Sequence, residues 1–366
     1  MEPSAALTRA GGSESSFEGA APADGGISRR DVLARSALAT GGIALVGGGA
    51  TTVLIRYFLS RSATYDGMGA VPHGGELSAL TPNDKFYVVT KNLLDPAPRL
   101  SDWALDVGGM VNSPGTYGSL AALQRLPQQE RAVTLECISL TVANHLISTA
   151  AWRGVLLEDV LKDRGGVKTG ANRIVFHSAD GYTSSLPLQQ VLANKTMLAW
   201  HMNGVPLPSR HGFPLRAIVP GYYGEKSAKW LVGIELIDHN FKDFYDGEGW
   251  AKHPSKTFSR IDVPAKNRTI HGATTLQGIA FAGVRGIKMV EVSTDCGKTW
   301  SKATLKTPLS PQAWVFWTWP WANPAPGHHV LTVRATDGTG VLQTPTFERA
   351  PPDGASGYHF VPVRVA

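Results

Sequence analysis

At 366 residues the chain has room for two domains or one large one, with a substantial core. Charged residues make up only 17%, while 40 glycines and 24 prolines punctuate the sequence, which argues against a helical bundle and for a strand-rich, loop-rich protein. The formal charge of +6 forms no basic stripe, so nucleic acid is not an expected partner, and two cysteines, Cys137 and Cys296, exclude a disulfide-rich scaffold and any cysteine-rich zinc or iron–sulfur site.

Residues 1–27 are small, polar and acidic and read as disordered. Residues 28–63 open on Ser28-Arg29-Arg30-Asp31-Val32-Leu33, followed by an uncharged, glycine-rich run from Ser36 to Ile55. This segment resembles a twin-arginine export signal, used for proteins exported already folded around a cofactor. The run is long enough to span a membrane, with the arginines placing its start in the cytoplasm. The segment is either cleaved near Ser60-Arg61-Ser62-Ala63 or kept as a membrane anchor, so the expected location is the periplasm or the outer face of the cytoplasmic membrane.

Tyr65 to Glu76 reads as an extended linker, and a short strand is expected between Asn83 and Lys91, ended by Asp95-Pro96-Ala97-Pro98. Trp103 to Val111 alternates as a strand, and Ser119 to Leu126 suits a short helix. Val133 to Cys137 is a strand that ends on a lone cysteine. That cysteine has three readings: a small buried hydrophobe, half of a disulfide, or a thiolate ligand or nucleophile. The residue alone does not choose among them. A helix is expected over Gly154 to Leu161, ending near Gly165-Gly166. Arg173 to His177 is a strand, with a turn at Ser178 to Tyr182 leading into Ser184 to Leu188. Met197 to Met202 is another strand, feeding an Asn203-Gly204 hairpin turn. The pattern lacks the regular βαβ alternation of a doubly wound sheet and any phosphate-binding glycine loop.

Next comes Pro206 to Arg216 and then Val219 to Leu231, a stretch that combines His211, Arg216 and Lys229 with glycines and prolines. Singly, His211 suits a core histidine and Arg216 an ordinary ion pair. Together, arginine forks, a neutral imidazole and loop N–H groups are suited to gripping an anion. Phe241 to Lys256 is a charged, aromatic loop of the kind that carries substrate contacts. From Ile261 the pattern turns to short alternating segments, Ile270 to Ala273, Thr275 to Ala282, Ile287 to Ser293, Thr299 to Leu305, Val315 to Trp319 and Val330 to Ala335, which argue for a β-sandwich with its tryptophans in the core.

Leu135-Glu136-Cys137-Ile138-Ser139, Leu146 to Val155, the block His211-Gly212-Phe213-Pro214 with Arg216, and Lys229-Trp230-Leu231 resemble, in order, the motifs of the sulfite-oxidase-like, molybdopterin-dependent oxidoreductases. The hairpin Glu291 to Trp300, with Cys296 in place of a turn glycine, and Val333 to Gly340 extend the likeness, which covers about residues 80–345. It implies an α+β fold, with a mixed α/β molybdopterin-binding domain over 64–258 followed by an immunoglobulin-like β-sandwich over 259–366 that makes a homodimer.

The implied cofactor is molybdenum–molybdopterin, with Cys137 as the metal's thiolate and Tyr87, Asp180, His211, Arg216, Ser227 and Lys229 holding the pterin. The implied reaction is two-electron oxygen-atom transfer on a small sulfur or nitrogen oxo compound, or sulfoxide reduction of the protein-repair type. A substrate-side aromatic is implied at Trp250 or Tyr245. Where sulfite oxidases carry an oxyanion-binding arginine after the cysteine, this chain has Ser139-Leu140-Thr141-Val142, so Lys226 or Arg210 would have to substitute. No Cys-x-x-Cys-His haem motif is present, which implies a separate electron-transfer protein, a cytochrome or a membrane quinone system. Two rival readings are a cofactor-free exported binding module and a Cys137–Cys296 disulfide.

Overall fold

The segment around Cys137 folds as a long hairpin. Gln128–Glu136 and Ile147–Leu156 pair antiparallel, from Gln128 opposite Val155 to Glu136 opposite Ile147. Val133, Leu135, Ala150 and Trp152 bury on one face, while the hydroxyls of Thr134 and Thr149 meet across the strands on the other. A computed structural model describes residues 64–66, 78–92, 95–142, 145–250, 252–348 and 350–366; residues 1–27 and all of 28–63, with the twin-arginine motif and its apolar run, lie outside them. No helix among the described residues is long and apolar enough to cross a membrane.

The hairpin belongs to a sheet ordered Val205–Pro206, Met197–Met202, Ile147–Leu156, Gln128–Glu136, with Arg216–Ile218 also paired to Met197–Met202. The Asn203-Gly204 turn forms as expected, both residues at positive φ, +50° and +80°. A second sheet runs Gly115–Tyr117, Leu105–Gly109, Leu231–Ile237, Arg173–Ser178, Thr183–Pro187. Among the described residues, three short α-helices pack beside these sheets. Leu120–Leu123 is capped by the Ser119 hydroxyl, which accepts the Ala122 N–H at 3.3 Å. Leu157–Asp163 buries Leu157, Val160 and Leu161, the spacing of one helical face.

Three sequence expectations need correction here. The helix placed over Gly154 to Leu161 begins only at Leu157, because Gly154–Leu156 is still strand, paired with Met197–Ala199. Gly154 has no room for a side chain: a Cβ there would collide with the Leu198 carbonyl. The stretch after Pro187 turns into a helix, Leu188–Ala193, that the sequence reading missed. The linker read from Tyr65 onward begins in a strand, Thr64–Asp66, paired antiparallel with Val88–Thr90.

From Phe258 the chain builds a β-sandwich. One sheet orders Phe258–Val263, Thr274–Phe281, Val315–Trp321 and Thr304–Leu305; the other orders Thr269–Ile270, His359–Val365, Gly327–Asp337, Ile287–Ser293 and Ser301–Lys302. Leu276, Val290, Val292, Trp317, Leu331 and Val333 fill the space between them. Trp317 donates its indole N–H to the Ile279 carbonyl at 3.2 Å, so it sits in the core as expected. The first and last strands, Phe258–Val263 and His359–Val365, were not expected. Cys296 stands at φ +62° in the Asp295 turn, the place of a glycine, and is exposed; Cys137 is buried, and both are free thiols, so the disulfide reading fails. The two halves share a core under the cysteine, where Phe86, Leu135 and Cys137 pack in one cluster with Phe258, Ile279, Phe281 and Trp314.

Candidate active site

Cys137 ends the first strand of the hairpin. Its N–H donates to the Leu146 carbonyl and its carbonyl accepts the Leu140 N–H, both at 2.9 Å, so the backbone is fixed on either side of the sulfur. The residue is 5% exposed and lines a cleft whose walls include Tyr182, Tyr245 and Trp250. All seven residues singled out from the sequence, Cys137, Tyr87, Asp180, His211, Arg216, Ser227 and Lys229, line this one cleft. Burial pushes the Cys137 thiol up to about 12, although the Ser139 amide and hydroxyl favour the thiolate. Left to itself the sulfur keeps its proton; only a bound cation would displace it.

The other groups come from loops locked by the sheets. Tyr87 precedes the Val88–Thr90 strand, and Gly224 lets its hydroxyl approach, since a Cβ there would collide with it. Asp180 sits in the turn between Arg173–Ser178 and Thr183–Pro187. Its carboxylate accepts from the Asn92 amide at 2.7 Å and the Tyr182 N–H at 3.0 Å, with the Lys91 amine 3.5 Å away. His211 closes the turn Ser209–His211, after which Gly212, at φ +110°, brings the chain against the Cβ atoms of Lys229 and Arg216. The His211 Nε2 lies 3.0 Å from the Asn83 carbonyl, which can only accept, so Nε2 carries the proton and Nδ1 is the acceptor nitrogen. Burial pulls this imidazole down to about 4, and it is neutral.

Arg216 opens the strand Arg216–Ile218 and is 5% exposed. It donates to the carbonyls of His211 at 3.0 Å and Ser227 at 3.1 Å, and its guanidinium lies 5.1 Å from the Trp152 ring centre. Its Nε has no partner, and among the described residues no carboxylate lies within 4.0 Å of it. Burial lowers Arg216 to about 10 and Lys229 to about 7. The Lys229 amine, 4.2 Å from the Trp230 ring centre, donates to the Arg210 carbonyl at 3.2 Å, and no carboxylate among the described residues pairs with it either. A buried cation without a counter-ion is costly unless an anion fills the space beside it. Ser227 plays its part through the backbone: its carbonyl accepts from Arg216, and its hydroxyl accepts the Val219 N–H at 3.0 Å.

Sequence reasoning missed Glu225, a residue of the cleft whose buried Oε2 has no hydrogen-bond partner, and the packing role of Phe86, edge-on to His211 at 5.4 Å. It also proposed Lys226 as a substitute oxyanion contact. That amine is instead buried on Asp243 at 2.8 Å and does not line the cleft, and Arg210 is paired with Asp95 at 3.3 Å. Trp250 and Tyr245 both line the cleft, stacked at 3.9 Å and 9°.

These donors fit a molybdenum–pterin group. Among the described residues no three His, Cys, Asp or Glu side chains gather as a metal site, so a metal at the lone sulfur of Cys137 needs ligands supplied by the group that carries it. Arg216 and Lys229, neither paired with a carboxylate among the described residues, are suited to that group's negative charge.

Known proteins agree. The profile of the oxidoreductase molybdopterin binding domain matches residues 93–245, and that of the Mo-co oxidoreductase dimerisation domain matches residues 257–349. The uncharacterized oxidoreductase YuiH of Bacillus subtilis is 35% identical over 151 residues, covering 41% of this chain and 73% of that protein. Human mitochondrial sulfite oxidase is 32% identical over 65% of this chain and 52% of its own length, and the NADH nitrate reductase of Cichorium intybus is 26% identical over 66% and 32%. The chain thus spans about half of the sulfite oxidase and a third of the nitrate reductase. In fold it is similar to the sulfane dehydrogenase SoxCD from Paracoccus pantotrophus, with a TM-score of 0.70 over 89% of this chain and 92% of that one at 20% identity. On the molybdopterin-domain profile, the YuiH match and a cleft that joins one buried sulfur to the Arg216 and Lys229 cations, the chain belongs to the sulfite-oxidase-like family of molybdopterin-dependent oxidoreductases.

Proposed function

We propose that the chain moves one oxygen atom to or from a small sulfur oxo compound in a two-electron reaction, using molybdenum–molybdopterin. The observation that carries this reading is the buried Arg216 guanidinium, which has no carboxylate within 4.0 Å among the described residues and lines the same cleft as the buried Cys137 sulfur. Cys137 would bind the metal through its sulfur. Arg216 and Lys229 would neutralise the pterin's negative charge, His211 would offer Nδ1 as an acceptor, and Tyr87, Asp180 and Ser227 would border the ring system. When bound, the group supplies the redox change and exchanges the oxygen atom, while the chain supplies orientation, charge and exclusion of water. Sulfur is favoured over nitrogen because identity to the sulfite oxidase, 32%, exceeds that to the nitrate reductase, 26%, over similar spans.

The electrons would pass through a separate protein, a cytochrome or a membrane quinone system. The dimerisation-domain match supports a homodimer through the sandwich. The Ser28–Leu33 arginine motif and the apolar run behind it support twin-arginine export to the periplasmic side, with or without a retained anchor.

Purification of the exported protein should yield about one molybdenum and one pterin per chain, with oxygen transfer to or from a sulfur compound. Cys137→Ser should lose activity by several orders of magnitude, since the oxygen of serine is a poor match for a soft, sulfur-rich centre. Full activity in that variant, or metal-free wild-type protein, would overturn the assignment.

A further inference from the structure

The charges at the cysteine end of the cleft have an unexpected sign. Lys91 and Arg210 are already paired, with Asp180 at 3.5 Å and Asp95 at 3.3 Å, and Lys226 is buried on Asp243 at 2.8 Å. Arg216 and Lys229 are the cations left for the cofactor under the reading above. The segment after the cysteine adds none, because Ser139 and Leu140 are both buried and uncharged. What the cleft does hold is Glu225. Its side chain is 6% exposed, its Oε2 has no partner, and the nearest cation, the Lys226 amine, stands 3.9 Å from the other oxygen while committed to Asp243. The neighbour of Glu225, Gly224, lies against the Tyr87 hydroxyl and the Glu136 carbonyl, which places this segment beside the strand that ends on Cys137.

Glu225 lines the same cleft as Cys137 and the aromatic residues Tyr182, Tyr245 and Trp250. Gly224 abuts the Tyr87 hydroxyl on one side, and on the other the Tyr182 hydroxyl donates to the Glu225 carbonyl. Tyr182 meets Tyr245 edge-on at 5.8 Å, and Tyr245 stacks on Trp250. As a carboxylate, Glu225 repels a dianion; as an acid, it offers one hydrogen bond and still no cation. In neither state does its position provide the charge-assisted contacts that hold a sulfur oxyanion. An uncharged sulfur compound meets no such penalty, and its carbon substituents find apolar surface.

We propose that Glu225 sets the charge class of the substrate, excluding oxyanions from the cysteine end of the cleft and admitting an uncharged sulfur compound against the Tyr245–Trp250 wall. This rests on the cofactor reading, and the test separates the two. Cofactor-loaded protein, its molybdenum and pterin content measured first, is titrated with sulfate and with methyl phenyl sulfoxide while tryptophan fluorescence is followed, so that binding is read without turnover. The wild type should bind the sulfoxide at least tenfold more tightly than sulfate. In Glu225→Gln, which keeps the shape and removes the charge, the ratio of the two dissociation constants should fall at least tenfold. Trp250→Ala is the second variant and should weaken the sulfoxide severalfold while leaving sulfate as it was. Loaded wild-type protein that prefers sulfate, or an unchanged ratio in Glu225→Gln, overturns the proposal and leaves the cofactor reading standing. Wild-type protein without molybdenum overturns both.

Discussion

At the scale of single residues, the site rests on charge without a partner. A guanidinium in water loses nothing by being alone, but Arg216 is buried, and its two hydrogen bonds go to neutral carbonyls. The geometry of that fork is what a lysine cannot copy, since one ammonium cannot reach both carbonyls and an anion in the same plane. Arg216→Lys should therefore fold but retain pterin at least tenfold less well through purification, as read by pterin fluorescence after release; equal retention would mean the cofactor's charge is held elsewhere. Cys137, His211, Arg216 and Lys229 were singled out in the sequence because they sit in short motifs that resemble the family's, and the fold brings them to one cleft. Glu225 was not, because nothing between Gly224 and Lys226 tells a buried carboxylate from a solvated one. Lys226 misled for the matching reason: its partner Asp243 is 17 residues away, and only the fold buries the pair.

Elements obey local pattern until burial is complete. The Ser119 cap, the Asn203-Gly204 turn and the alternation of Trp103 to Val111 each announced an element, because each has one wet side or one special backbone angle. Gly154–Leu156 misread as helix because a strand buried on both faces loses its alternation, and apolar runs of that kind suit either element. His359–Val365 was passed over, although its first residue contributes to the sandwich through an unusual bond. The His359 Nδ1 accepts the Ile261 N–H at 3.1 Å, so the ring must be neutral there, and burial, helped by Arg260, lowers it to about 4. An unfolded histidine titrates near 6.5, so between that pH and about 4 the unfolded chain takes up the proton first. Stability conferred by the neutral ring is complete above pH 6.5 and is lost as the pH falls. Allowing for partial solvent exposure, the loss is on the order of 2 kcal/mol by pH 4. His359→Asn, whose side-chain carbonyl can take over the acceptor role, should flatten the fall of unfolding free energy with acid by that amount in urea titrations at pH 7 and pH 4. A slope identical to wild type would assign the acid sensitivity to other groups.

For the whole molecule, the sandwich is part of the catalytic half's interior rather than an appendage. The loop at Ser310 to Trp314 lies along the cysteine strand: the Thr134 N–H donates to the Gln312 carbonyl at 3.1 Å, and the Trp314 N–H donates to the Thr134 hydroxyl at 2.8 Å. The Trp314 indole, 4% exposed, reaches the Ala79 carbonyl at 3.1 Å and packs in the cluster that contains Cys137. On the other side Gly283 approaches Gly221 so closely that a Cβ would stand 2.8 Å from the Gly221 Cα. Emptying the Trp314 site removes a large buried side chain and a buried hydrogen bond from a core both halves own, a loss of about 3–5 kcal/mol. If the halves are one cooperative unit, Trp314→Ala should lower the melting temperature of the whole protein as a single calorimetric transition and reduce pterin retention in the same preparation. Trp314→Phe, which keeps the ring and loses only the indole bond, should cost about 1 kcal/mol and keep the cofactor. Two separated transitions, with only the upper or lower one displaced and the pterin undisturbed, would mean that the strand bearing Cys137 is positioned without help from the sandwich. A single displaced transition would mean that the second domain fixes the sulfur's backbone from behind, as the Gln312 and Trp314 contacts to Thr134 indicate.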